Sequence, residues 1–267
     1  MKKILISLSI ILSLSLFTSC DIIDAPYEED VEIIDTNDSQ KRVLIIEFTG
    51  IKCNNCPPAS EEAHRIIEKY EGKVIGLNIH ASDLARPSSP SEPNFRNNTS
   101  NNIYTATNRP GLPAALISKF LDINSISNAF VGWENSVVEI LEQEADIEIL
   151  MKKDGDRNYF EVEFFKQLSG QFRIASYVIE NGIIGYQLGP TKSYYDYEHN
   201  YVLRTNILGD LGQDIDLTTI NQNKIEVDFN IPSLDESWVT ENIEIVTFVY
   251  EVENGDVLQV NKFSLPN

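Results

Sequence analysis

The sequence predicts an α/β domain followed by an all-β domain. Three observations carry that expectation. Residues 43–48 (VLIIEF) and 73–79 (KVIGLNI) are near-continuous apolar runs, and a segment with helical spacing lies between them. Such runs suit strands covered on both faces. Beyond Glu144 the pattern changes to alternation: Phe160, Val162 and Phe164 enclose Glu161 and Glu163, the period of a half-buried strand. The 267 residues are 42% apolar and 23% charged. That composition supports a real core and one large domain or two ordinary ones.

Charge excludes some functions at once. The balance of 21 Lys and Arg against 41 Asp and Glu gives a formal charge of −20. Phosphate backbones and anionic lipid surfaces repel such a chain, so no nucleic acid is expected as a partner. The chain has three cysteines, too few to build a disulfide miniprotein.

The first segment reads as an address. Lys2 and Lys3 precede an apolar stretch over residues 4–17. It is too short to cross about 30 Å of hydrocarbon and reads as the core of a signal peptide over residues 1–19. Phe17-Thr18-Ser19-Cys20 resembles the lipobox of bacterial lipoproteins. The resemblance implies cleavage before Cys20, lipidation of Cys20 and export. Ordinary signal cleavage with a free Cys20 is the alternative. Each buried CH₂ of an acyl chain contributes about 0.8 kcal/mol of anchoring. Residues 20–40 then form the lipid anchor and an acidic tether with little periodicity.

The α/β domain is expected over residues 41–144. After the first apolar strand come Thr49-Gly50-Ile51-Lys52 and then Cys53-Asn54-Asn55-Cys56. Pro57 and Pro58 suit a first helical turn, Ala63, Ile66, Ile67 and Tyr70 recur at helical spacing, and Gly72 suits the stop. A CxxC therefore sits at a strand-to-helix junction. Helix N-terminal N–H groups, with Lys52 nearby, favour the thiolate of Cys53. Cys56 is placed to resolve a mixed disulfide. Residues 73–79 follow as a second strand, parallel to the first because a helix connects them.

Gly111-Leu112-Pro113-Ala114 precedes another apolar strand and is similar to the cis-proline element of the thioredoxin superfamily. Pro110 is the competing position. VLIIEFTGIKCNNC likewise looks like the thioredoxin strand and active-site turn. The resemblance implies a thioredoxin-like domain in which Pro113 shapes a substrate groove. It puts Glu47 where a buried acid is kept. Burial among Ile45, Ile46 and Phe48 would raise the pKa of Glu47 and let it exchange a proton with Cys56. A strand-end Glu reaching water is the alternative. Lys52 stands where a Trp is usual, and Asn54-Asn55 replaces the usual Gly-Pro pair. Residues 84–109 read as a loop-like insertion beside the groove and a source of partner selectivity. The CxxC also admits an inert disulfide or half a zinc site. A zinc site wants four ligands, and His64, His80 and His199 are scattered in sequence. A helix from Trp133 through Val137, Val138 and Leu141 closes the domain.

The all-β domain is expected over residues 145–267 as an antiparallel, immunoglobulin-like β-sandwich. Ile225, Val227 and Phe229 alternate with charged residues, and residues 172–180 and 243–250 add strands. Asp154-Gly155, Asn181-Gly182 and Asn254-Gly255 mark tight hairpins. Tyr194, Tyr195, Tyr197 and Tyr201 surround His199; packing along a sheet edge is favoured over a binding face.

Taken together, the lipobox, the acidic tether, EFTG-x-x-C-x-x-C-P, Gly-x-Pro before a strand and His199-Asn200-Tyr201-Val202-Leu203-Arg204 resemble one family. It is the Bacteroidetes outer-membrane lipoproteins related to the 28-kDa outer membrane protein. The resemblance implies a lipid-anchored place in the cell envelope, at the outer membrane. Two functions follow. The first is a membrane-anchored thiol–disulfide oxidoreductase: Cys53 attacks, Cys56 resolves, Glu47 shuttles the proton and Pro113 presents backbone. Its partners are cysteine-containing exported proteins and a redox-recycling protein, and it needs no cofactor. The second is a surface binding or adhesion lipoprotein whose CxxC is a structural disulfide. Exposure discriminates them. A reactive pair shows Cys53 at the surface, whereas a structural bridge buries both.

Overall fold

The computed structural model describes residues 32–33 and 40–266. The expected signal peptide, Cys20 and most of the expected tether lie outside the described residues. The chain from Val31 onward forms one compact unit. Its first half contains β1 (Glu32–Ile33), β2 (Val43–Thr49), α1 (Cys56–Lys69), β3 (Val74–His80), α2 (Asn98–Ala106), β4 (Ala114–Ile117) and α3 (Trp133–Leu141). The second half contains β5 (Ile147–Asp154), β6 (Arg157–Phe164), β7 (Phe172–Glu180), β8 (Ile183–Leu188), β9 (Ser193–His199) and β10 (Val202–Asn206). It ends with β11 (Gln213–Ile215), β12 (Lys224–Phe229), β13 (Ile243–Glu251) and β14 (Val257–Ser264). Among the described residues no helix is long and apolar enough to cross a membrane.

One mixed sheet runs through both halves in the order β14-β13-β7-β10-β3-β2-β4, with β11 added alongside β7. The join is parallel, between β10 and β3, with Val202 opposite Asn78. A second sheet, β1-β5-β6-β12, and the separate hairpin β8-β9 complete the strands. This corrects the expected fold class. The chain is predominantly β around a shared mixed sheet, and a thioredoxin-like α/β domain followed by an independent immunoglobulin-like sandwich is not its architecture.

The physical reason lies in the side chains. Leu44, Ile46 and Phe48 of β2 share one buried cluster with Leu77 and Ile79 of β3, Tyr177 and Ile179 of β7, and Val246 and Phe248 of β13. Strands project alternate residues to opposite faces, so these residues form one continuous apolar face across both halves. The opposite face is divided. Val43 and Ile45 meet Ala63 and Ile66 of α1 and Trp133 and Val137 of α3. Ile174, Ile245 and Val249 meet Ile149, Phe160 and Val162 of the second sheet. An apolar strand buried on both faces needs cover on both. The sequence pattern alone does not say which half provides it.

Two local features also differ from expectation. Asn181-Gly182 does not close a hairpin, because β7 pairs with β13, β10 and β11 while β8 turns away to pair with β9. The expected loop at 84–109 contains α2. Its N-cap Asn97 accepts from Ser100 N and donates to Leu203 O at 2.9 Å, and Ile103 enters the central core. Few apolar residues mark that helix, so periodicity did not reveal it.

Candidate functional site

β2 carries the chain into a tight loop. A Cβ at Gly50 would stand 2.8 Å from the Leu84 carbonyl, so only glycine allows that approach. Lys52 N donates to Leu84 O at 2.8 Å and Cys53 N donates to Gly50 O at 3.0 Å. Cys56 then opens α1, with two prolines in the first turn. Cys53 and Cys56 are joined by a disulfide. They are 3% and 1% exposed.

The second half of the chain closes on the loop that carries this disulfide. Leu188 N, at the end of β8, donates to Ile51 O at 2.8 Å. The buried Gln187 amide donates to the Gly50 and Cys53 carbonyls, at 3.2 Å each. Ile51 packs with Phe95 and Val202, and with Ile183 and Tyr186 of β8. The cover is therefore both apolar and hydrogen-bonded. Nothing local in the CxxC sequence shows it, because apart from Phe95 its residues lie more than a hundred positions downstream.

Glu47 is buried on β2. Its Oε1 accepts from Ser60 Oγ at 2.6 Å, while Oε2 has no hydrogen-bond partner among the described residues. Burial raises its pKa to about 7, against the opposing effect of the Ser60 and Thr49 hydroxyls. Ser60 follows Cys56 by one helical turn, so the two share a face of α1. The Leu112–Pro113 peptide is cis. Pro113 leads into β4, where Ala114 pairs with Phe48, and Asn128 Nδ2 donates to Pro113 O at 2.7 Å.

All three histidines of the chain, scattered in sequence, line a single cavity of about 270 Å³. His80 and His199 stand with ring centroids 5.7 Å apart, and Phe95 packs edge-on against each at 4.8 Å. Burial lowers His199 to about 4 and holds His80 well below the ordinary histidine range. His64 Nδ1 lies 3.0 Å from the Tyr201 hydroxyl. Burial pushes the Tyr197 hydroxyl up, assisted by Glu47 and Glu61. Among the described residues no group of His, Cys, Asp and Glu is arranged to hold a metal ion.

A mixed-sheet β protein with an occluded disulfide and a polar cavity is the class these features define. Residues 97–267 match the family model of the outer membrane protein Omp28. That is most of the chain, and the chain belongs to this family. It is an outer membrane protein of the cell envelope. The matched stretch begins beyond both Cys53 and Cys56. No curated protein matches by sequence.

Among solved structures, HBP35 of Porphyromonas gingivalis is 18% identical with a TM-score of 0.63, over 86% of this chain and 77% of that one. A protein of Agrobacterium tumefaciens is 13% identical with a TM-score of 0.54, over 85% and 96%. A domain of the outer membrane lipoprotein Omp28 from Porphyromonas gingivalis is 21% identical, over 45% and 88%, with a TM-score of 0.30. The first two likenesses concern the fold alone.

Proposed function

We propose that this outer membrane protein is a binding or adhesion lipoprotein in which Cys53–Cys56 is a structural clasp. One observation carries the reading: both cysteines are buried, and Gln187 fastens the β8-β9 hairpin to the Cys53 carbonyl. A thiol must be reachable to attack, and an exchange-active pair exposes its first cysteine. At 3% exposure Cys53 offers a client disulfide little surface to approach. The clasp holds the loop on which the hairpin rests. The test is catalysed reduction of insulin by dithiothreitol, with the full-length protein present. The expected rate equals the uncatalysed one. Acceleration that disappears in Cys53→Ser would overturn the reading.

Cys20 is proposed as the site of the lipid anchor that holds the chain at the membrane. Radiolabelled palmitate fed to cells should enter the full-length protein and not the Cys20→Ala variant. Equal labelling of both would remove Cys20 from this role.

A second reading has one observation in its favour, the buried Glu47 with its pKa near 7, one turn from Cys56 on α1. In that reading the hairpin lifts and a redox-recycling protein reduces the pair. Cys53 thiolate then attacks the disulfide of an exported protein. Cys56 resolves the mixed disulfide, the client leaves as a dithiol, and Cys53–Cys56 re-forms. Glu47 takes the Cys56 proton, and Pro113 borders the groove.

A further inference from the structure

We propose that the cavity lined by the three histidines binds a small, neutral, polyhydroxylated molecule of monosaccharide size. This deepens the binding reading above and rests on it.

The lining carries the argument. The walls come from three places: Ser60, Glu61 and His64 of α1; Thr49, Asn78 and His80 at the ends of β2 and β3; Gln187 and residues 197–201 of the second half. No aliphatic side chain, lysine or arginine is among them. Every lining side chain carries a polar atom, yet the exposed lining is as much ring and chain carbon as polar atom, a mixture that suits a ligand with apolar C–H faces and hydroxyls at its edge. The volume of about 270 Å³ is roughly nine times a water molecule's share of the liquid.

His80 supplies the second observation. It is 2% exposed, lines the cavity, and its Nδ1 has no hydrogen-bond partner among the described residues. A buried polar atom left alone costs about 1–3 kcal/mol, and such an atom in a native fold calls for a reason. Neighbouring groups are already partly committed. Asn78 Nδ2 donates to Asn200 O at 2.9 Å, and Ser60 donates its proton to Glu47. A ligand hydroxyl both donates and accepts, so it can complete whichever role remains at the cavity-facing atoms, and a turn of the His80 ring would bring Nδ1 among them.

Charge narrows the class. Glu61 and Glu198 are exposed at the rim, where they repel anions and accept from hydroxyls. The buried walls Thr49, Asn78, His80 and Gln187 present no carboxylate of their own, and Glu47 behind them is already bonded to Ser60. A buried unpaired charge is strongly disfavoured. Both buried imidazoles are held neutral at pH 7, so the buried walls offer an uncharged ligand uncharged partners.

Having three histidines makes the test direct. The full-length protein in detergent, labelled with ¹³C in histidine rings, is titrated with D-glucose, D-galactose and D-mannose. Ethanolamine and inorganic phosphate serve as charged comparators. At least one hexose should shift the His80 and His199 signals to saturation, while ethanolamine and phosphate do not. Thr49→Val and the rim variant Glu61→Gln should each weaken that binding about tenfold, with the urea midpoint of the sugar-free protein within error of the parent's for Glu61→Gln. The proposal is overturned if no hexose saturates, if ethanolamine or phosphate saturates instead, or if both variants bind hexose like the parent protein. Its failure is separable from failure of the binding reading, which insulin reduction measures without reference to the cavity.

Discussion

Phe248→Ala should lower the stability of the whole chain by about 3–5 kcal/mol, and unfolding should remain a single transition. Phe248 is fully buried on β13, in the second half of the sequence. Its ring meets Phe120 at 5.1 Å, from the first half, and Tyr177 at 6.0 Å. Truncation removes apolar area and leaves a cavity in a face shared with Leu44, Ile46 and Phe48. Two tryptophans report on separate places. Trp133 is buried with α1 and α3, and Trp238 stacks with Arg204 at 4.7 Å. Urea unfolding of single-tryptophan variants, Trp133→Phe and Trp238→Phe, reads the two regions independently. Coincident midpoints that fall together in the Phe248→Ala background are expected. If the Trp133 region keeps its midpoint while the Trp238 region loses its own, the halves fold separately.

Glu47→Gln should stabilise the protein by about 3 kcal/mol at pH 8 and leave it nearly unchanged at pH 4. Glu47 has a folded pKa of about 7 against an ordinary value of 4.5. Between those values the folded state holds a proton that the unfolded state has released. Stability contributed by Glu47 is therefore present below about 4.5 and is lost as pH rises through about 7. Glutamine keeps the contact with Ser60 and carries no charge to bury. His199 has the opposite sign. Its folded pKa is about 4 against an ordinary 6.5, so its contribution is lost as pH falls from 6.5 through about 4. Urea midpoints of parent and variant at pH 8 and pH 4 separate the two effects. Equal stability at pH 8 would mean that the Glu47 charge finds compensation in the fold.

Much of the local structure is legible in the residues. VLIIEF becomes β2, the helix after the CxxC starts at Cys56, and the cis peptide falls at Pro113 rather than Pro110. These signals are local: an apolar run, a proline-marked first turn, a Gly-aliphatic-Pro order. Fold class is not local. Apolar runs such as 172–180 and 243–250 demand cover on both faces but do not name their partners, and Val202 opposite Asn78 is invisible in either segment. The same limit governs the site. The CxxC and its neighbours suggest an open redox centre, because the CxxC segment does not encode its cover. The convergence of His64, His80 and His199 depends on that long-range pairing as well. Nothing in their spacing places them in one cavity.

A covered structural bridge at Cys53–Cys56 resists reduction for as long as the chain stays folded. Its reduction potential, measured in the intact folded protein against graded thiol buffers, tests that most directly. The account predicts a value below about −300 mV, the range of structural disulfides that resist the glutathione pool. It also predicts that reduction becomes easy only when urea unfolds the chain. A potential between about −270 and −120 mV in the folded protein is that of thiol-exchange proteins. That result would contradict the account and make the hairpin a movable lid over a working redox pair.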